Sequence, residues 1–330
     1  MVTITTLIIS NKRYDYIKET VSSLIKFNCN IFIVVNGYCD KTVQFLRETK
    51  TGYKNINFVI INEQINKSDA RNTGVKNIDA DVIYFLDDDA YIYKDNIRIL
   101  QEKFDKYPMI GIIGGPNLTP QNSTKFERIS GVMLSTYLLT WKMSRRYMNT
   151  GKDRLTDDSE LILCNLAVKK DLFSKFSVKF ERLLHYNEEN LLLEQLRKYG
   201  VKMLYSPDLA VCHHRRSSIL SLALQVFYSG KGRALMTFFM PSSLHFVHLL
   251  PSLFIFYLIA LAFGKMTFIL LFIYFLISIY NVISASVLYN IKIYDSCLML
   301  LIAVTSHLSY GIGFITGTVK GILWKITKLF

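Results

Sequence analysis

The 330-residue sequence has no G-x-G-x-x-G after its first apolar run and no G-x-x-x-x-G-K-[ST] anywhere, which excludes the dinucleotide fingerprint and the P-loop. Cysteine is scarce and unpatterned. Cys29, Cys39, Cys164, Cys212 and Cys297 are odd in number, widely spaced and without a C-x-x-C pair, so they read as reduced thiols rather than as a disulfide framework or a zinc centre. Acid is in deficit, with 26 Asp+Glu against 39 Lys+Arg and a formal net charge of +13. A secretory signal is also missing: Ile4–Ile9 is too short, no Lys or Arg precedes it, and no small-residue cleavage site follows. The expectation is that the first domain stays in the cytoplasm. With 51% hydrophobic and 20% charged residues, the chain is not disordered.

Charge nearly vanishes from Leu244 onward, where Lys265, Lys292, Asp295, Lys320, Lys325 and Lys328 are the only full charges. A bilayer core takes roughly 20 apolar residues per helix. Leu244–Phe263, Met266–Tyr289 and Ser296–Val319 each reach that length and lack the polar face of a buried core helix. Three spans would leave Lys320, Lys325 and Lys328 outside, against the positive-inside preference. Alternatively Pro251, with His245 and His248, breaks the first segment into a re-entrant or interfacial hairpin, leaving two spans and a cytoplasmic tail. Just before, 218–242 mixes Ile219, Leu220, Leu222, Leu224, Val226 and Phe227 with Gln225, Lys231 and Arg233, the pattern of an interfacial helix.

The first 110 residues alternate short β-rich runs with amphipathic stretches, the rhythm of an α/β domain with a largely parallel sheet. Strands are expected at Thr5–Ile9, Ile31–Val35, Phe58–Ile61, Val82–Leu86 and Ile110–Ile113, and helices at Tyr16–Phe27, Thr42–Thr49, Lys67–Asn77 and Lys94–Tyr107. Ligands of such sheets bind beyond the carboxyl ends of the strands. The residues there are Ser10-Asn11-Lys12-Arg13, Asn36-Gly37 with Asp40, and Asp87-Asp88-Asp89. Three adjacent carboxylates repel one another unless a cation relieves them, and Mg2+ or Mn2+ commonly bridges one or two carboxylates to a substrate phosphate.

The run Ser68-Asp69-Ala70-Arg71-Asn72-Thr73-Gly74, followed about a dozen residues later by Phe85-Leu86-Asp87-Asp88-Asp89, resembles the family 2 nucleotide-sugar glycosyltransferases with their D-x-D metal motif. Ser10-Asn11-Lys12-Arg13 is similar to the family's T-Y-N-R turn, with Lys12 in place of Asn, and 36–42 to its N-G-x-x-D-x-T segment. The stretch from Glu188 to Gly200 resembles the family's E-D-x-D-L-x-x-R-x-x-x-x-G helix, with Leu191 and Gln195 in place of its Asp and Arg. The resemblance implies a GT-A, Rossmann-like sheet and transfer of a sugar from a UDP- or GDP-sugar. It implies Glu189 as catalytic base beside Glu188, and Asp87, Asp89 and His213 as ligands of Mg2+ or Mn2+. Asn36, Asp40, Arg71, Asp87 and Asp88 would bind the nucleotide-sugar, and Asn165, Trp141 and Gln225 would lie on the acceptor side. Gln225 through Arg233 is similar in part to the Q-x-x-R-W element of processive synthases, without its R-W.

The chemistry asks for the same parts. An inverting transfer needs a base for the incoming hydroxyl, a metal for the leaving diphosphate, and a wall that holds donor and acceptor in line. Several of these residues also suit plainer roles. Glu188 and Glu189 would favour the positive end of a helix dipole, Asn165 would satisfy a strand end, Trp141 would pack, and His213-His214-Arg215-Arg216 would face lipid phosphates. The expected organisation is a cytoplasmic catalytic domain at 1–217, with its nucleotide-sugar half at 1–115 and acceptor half at 116–217. An interfacial helix at 218–242 and a multi-pass membrane region at 243–330 follow. The expected partners are a nucleotide-sugar, a polyprenyl-linked acceptor and the bilayer, with no nucleic acid. Three readings stay open: a nonprocessive lipid-linked glycosyltransferase or polyprenyl phosphate sugar synthase, a processive polysaccharide synthase, and a catalytically silent sugar-nucleotide sensor or scaffold.

Overall fold

In the computed structural model, residues 2–327 are described and form two compact units. One runs up to Pro120 and takes in Arg145–His214; the other holds Gln121–Ser144 and the chain from Arg215. The strands are β1 (Ile4–Ser10), β2 (Asn30–Asn36), β3 (Ile56–Ile61), β4 (Val82–Leu86), β5 (Ala90–Tyr91), β6 (Ile110–Gly114), β7 (Asn117–Leu118), β8 (Arg154–Thr156), β9 (Asn165–Lys169), β10 (Lys202–Tyr205) and β11 (Val211–His213). The helices are α1 (Tyr14–Ile25), α2 (Asp40–Gly52), α3 (Lys67–Asn77), α4 (Asn96–Lys106), α5 (Lys125–Leu134), α6 (Tyr137–Thr140), α7 (Asp171–Lys175), α8 (Glu188–Lys198), α9 (Ile219–Phe239), α10 (Phe246–Ala262), α11 (Ile269–Leu288) and α12 (Ser296–Thr327). All five strands and four helices expected from the sequence are present, with ends displaced by at most three residues.

The first unit is built on an eight-stranded sheet of order β3-β2-β1-β4-β9-β6-β10-β8, beside a small sheet of order β5-β11-β7. Six strands of the large sheet point one way, while β8 and β9 run against them. Both faces of the sheet are buried, so β4 is apolar throughout: Val82, Tyr84 and Leu86 enter one core, and Ile83 and Phe85 the other. Gly74 lets α3 lie close on β1, because a Cβ there would stand 2.4 Å from Leu7 Cδ1.

The second unit is helical. Ile269–Leu288 and Ile293–Thr327 are long and apolar enough to cross a membrane; α10, with 17 residues and Pro251 inside it, is shorter. Lys320 and Lys325 lie on α12, and Lys328 falls outside the described residues. Gln121–Ser144, which sequence places in the acceptor half, groups with these helices. Ile129 and Met133 of α5 share an apolar cluster with Leu222, Val282, Ala285, Met299, Ile302 and Ala303, and Lys125 pairs with the buried Asp295. Helix α9 packs backbone to backbone on α12: a Cβ on Gly313 would lie 2.0 Å from Phe227 O, and one on Gly230 2.2 Å from Tyr310 O. Gly313→Val is therefore expected to force the two helices apart and lower stability by about 1–3 kcal/mol. Thermal unfolding of the purified protein in detergent checks this, and an unchanged midpoint would contradict the packing.

Candidate active site

Strand β4 carries the chain through the core and releases it at Asp87, where Ala90 N–H donates to Asp87 O at 3.1 Å and reverses the backbone into β5. Strand β11 pairs antiparallel with β5, setting His213 opposite Ala90. The small sheet thus brings a histidine to the carboxylate cluster from 124 residues away, with His213 Nε2 at 3.0 Å from Asp89 Oδ1. His214 turns elsewhere, Nε2 at 2.7 Å from Glu19 Oε2 and its ring 4.9 Å from Tyr16.

The three carboxylates live in different surroundings. Asp88 is buried, accepts the Asn11 N–H at 3.1 Å and pairs with Arg13. Burial pushes its carboxyl up to about 6, against the pull of Arg13. Asp89 is buried too, and burial alone would raise it. His213 and Arg13, whose Nη1 is 2.5 Å from Asp89 Oδ2, outweigh burial and hold it below the usual carboxylate range. Asp87 is part-exposed, with Oδ1 3.8 Å from Arg71 Nη2. Arg13 follows Lys12, which sits at φ 60°, a left-handed conformation that Asn adopts more readily than Lys.

The A-R-N run serves a second purpose. Asn72 holds Phe180 through both its amide atoms at 2.9 Å, and Ser68 Oγ donates to Glu181 O at 3.1 Å and Leu184 O at 3.3 Å. Helix α3 therefore docks the loop that delivers α8. Arg71, buried on α3, pairs through Nη1 with Glu188, the first residue of α8. Glu189 follows, and burial together with repulsion from Glu188 pushes its carboxyl up to about 7, although Arg146 and Arg71 pull the other way. Buried Arg146 is itself fixed by Asn190 Oδ1 at 2.7 Å and Ser159 O at 2.8 Å. Glu188 Oε2 is buried without a hydrogen-bond partner among the described residues.

Other expected site residues are spread more widely. Asn36 is buried at the end of β2, donating to Asn11 Oδ1 at 3.1 Å and Ile65 O at 3.0 Å while accepting the Ile65 N–H at 2.9 Å. Asp40 is exposed at the start of α2. Asn165 is fully buried. Its Oδ1 accepts the Tyr84 hydroxyl at 2.8 Å, and its amide donates to Pro116 O at 3.0 Å and Leu209 O at 2.5 Å, tying β9 to the segments that lead into β7 and β11. Trp141 and Gln225 belong to the helical unit: Trp141 is half-exposed beside Tyr137, and Gln225 accepts from Arg216 Nε at 3.2 Å. Sequence reasoning gave no role to Arg13, Arg146 or Cys164. The donor atoms of Asp87, Cys164 and His213 lie within 4.8 Å of one another. A carboxylate and an imidazole suit Mn2+ by donor type.

Residues 5–176, a little over half of the chain, match the model of Glycosyl transferase family 2. The chain belongs to this family and is a glycosyltransferase. The match stops before Glu188 and His213. Among solved structures, the glycosyltransferase is similar to the mannosyltransferase PcManGT from Pyrobaculum calidifontis, in complex with GDP-Man and Mn2+. The TM-score is 0.59 at 12% identity, over 98% of this chain and 88% of that one. It is also similar to S. aureus TarS 1-349 in complex with UDP, at TM-score 0.49 and 13% identity over 69% of this chain and 64% of that one. A third is GalNAc-T7 with UDP, GalNAc and Mn2+, at TM-score 0.49 and 13% identity over 73% of this chain and 51% of that one. The likeness to PcManGT is one of fold. No curated protein matches the chain.

Arg13 is the counterion of two buried carboxylates. Arg13→Gln is expected to cost about 3–5 kcal/mol, because it strands the charge of Asp88 and Asp89, and Arg13→Gln with Asp88→Asn should recover part of that loss. Urea unfolding of the three proteins measures it; a single variant as stable as wild type would refute the pairing.

Proposed function

We propose that this glycosyltransferase moves a sugar, with inversion, from a UDP- or GDP-sugar to a hydroxyl of a polyprenyl-linked glycan at the cytoplasmic face of the membrane. In this reading the catalytic domain is cytoplasmic and 218–242 lies at the interface. The apolar helices from 243 onward anchor the enzyme, supported by two that are long enough to span. The observation that carries the proposal is Glu189, a carboxyl raised to about 7 on the first turn of α8 and next to a Glu188 that Arg71 neutralises.

A base with that value is about half ionised at neutral pH and strong enough to take a proton as the acceptor oxygen attacks. Arg146 and Arg71 stabilise the ionised form. Asp87, with Asp89 and His213, would hold Mg2+ or Mn2+, a reading supported by the Mn2+ in PcManGT. When bound, such an ion supplies neutralisation of the charge on the departing nucleotide. Exposed Asp40 and part-exposed Asp87 would face the donor, with Asn36 and Asp88 bracing that wall from behind. Trp141 and Gln225 are proposed for the acceptor side.

The acceptor class follows from the need for a base. A polyprenyl phosphate is already ionised and attacks without one, whereas a sugar hydroxyl keeps its proton far above neutral pH. Glu189→Gln is therefore expected to slow the chemical step by about 10²–10⁴-fold with donor binding retained, on a sugar-bearing polyprenyl diphosphate acceptor. Single-turnover transfer from radiolabelled donors checks it. Equal transfer to bare polyprenyl phosphate by wild type and variant would overturn base and acceptor together. Asp89→Asn is expected to abolish both turnover and Mn2+ binding in a protein that still folds by circular dichroism, with a lowered unfolding midpoint because Arg13 and His213 lose a partner; full wild-type activity in excess chelator would defeat the metal assignment.

A further inference from the structure

Strands β4 and β9 run antiparallel, and their pairing ends with Leu86 opposite Asn165. One more step along that register sets Cys164 against Asp87, and side chains directly opposite in such a pair stand close enough to interact. Because β11 brings His213 to the same place, carboxylate, thiol and imidazole donors converge within 4.8 Å. Three atoms that close lie no farther than about 2.8 Å from a common centre, the largest separation divided by √3. Shifts of at most about 0.5–0.8 Å bring them to the roughly 2.0–2.3 Å distances of zinc coordination. Cys164 is only 1% exposed, whereas Asp87 and His213 are part-exposed, so an ion enters past the carboxylate and the imidazole and meets the sulfur at the back.

Hard ions such as Mg2+ gain little from sulfur, while thiolate is a preferred ligand of Zn2+, which also binds nitrogen and oxygen sites more tightly than Mn2+ does. We propose that Cys164 makes this a thiol-bearing site for a thiophilic divalent ion, Zn2+, bound by Asp87, Cys164 and His213, with the thiol proton released to solvent. Such an ion takes the place of Mg2+ or Mn2+ and holds Asp87 away from the donor, so the glycosyltransferase carries a built-in sensitivity to zinc. The proposal rests on the reading of Asp87 and His213 as metal ligands.

The test uses the whole 330-residue chain, reduced, in lipid nanodiscs and two probes: Cd2+, followed by thiolate-to-metal charge-transfer absorption, and Mn2+, followed by electron paramagnetic resonance. Wild type is expected to show a Cd2+ band saturating at one ion per chain, absent from Cys164→Ser and Cys164→Ala. Zn2+ should displace Mn2+ from wild type at a concentration at least about tenfold lower than from either variant. The alanine variant keeps the test decisive if a buried serine hydroxyl disturbs the fold. No band in wild type, or a band that persists in both variants, overturns the proposal. Mn2+ bound and displaced alike from all three proteins sinks the thiol site and leaves the catalytic metal reading standing. A Cys164-dependent Cd2+ band without Mn2+ binding does the reverse.

Discussion

Everything around this site answers one electrostatic problem: β4 ends in three consecutive carboxylates, two of them buried. Burying an ionised carboxylate costs several kcal/mol unless cations and donors replace the lost water. The fold supplies them from distant parts of the chain. Arg13 arrives on the turn after β1, His213 on β11 and Arg71 on α3, each held by backbone pairing or helix packing. Because Asp88 and Asp89 are compensated from within, Asp87 is left part-exposed, beside an imidazole and a thiol. The cluster therefore divides its labour: Asp88 anchors the turn, Asp89 orients His213, and Asp87 presents charge.

The same economy joins the two ends of the candidate site. Arg71 reaches Glu188 with one nitrogen and lies near Asp87 with another, so one buried guanidinium stands between Asp87 and the Glu188-Glu189 pair. Since Ser68 and Asn72 of the same helix stitch the loop before α8, displacing α3 would disturb Glu188 and Glu189 together with the neighbour of Asp87. The A-R-N-x-G run is thus a structural hinge-pin as well as a charged one, with Gly74 setting how closely it lies on the sheet.

Much of this was legible in the sequence. Strands buried on both faces must be continuously apolar, so β1 to β4 and β6 declare themselves, and carboxylates at a strand end mark where a ligand side lies. The insertion of β9 against its neighbours was not legible, because composition does not encode a strand's direction. Nor was the meeting of Cys164 with Asp87, which depends on register alone. Phe126, Ile129 and Met133 announce a helix with a buried face but not which unit covers it, so 121–144 read as part of the catalytic half until its packing on the helical unit was seen. Arg13 looked like any turn arginine, since its value comes entirely from two carboxylates 75 and 76 residues away.

In the proposed reaction Glu189, raised by its surroundings, removes the acceptor proton. The most direct measurement is the pH dependence of the single-turnover rate constant for sugar transfer. For wild type the rate should rise tenfold per pH unit on the acid side and level off near pH 7, where the carboxyl ionises, and the Glu189→Gln profile should lack that limb. A wild-type profile that is flat from pH 5 to 8, or an identical limb in the variant, would contradict the account.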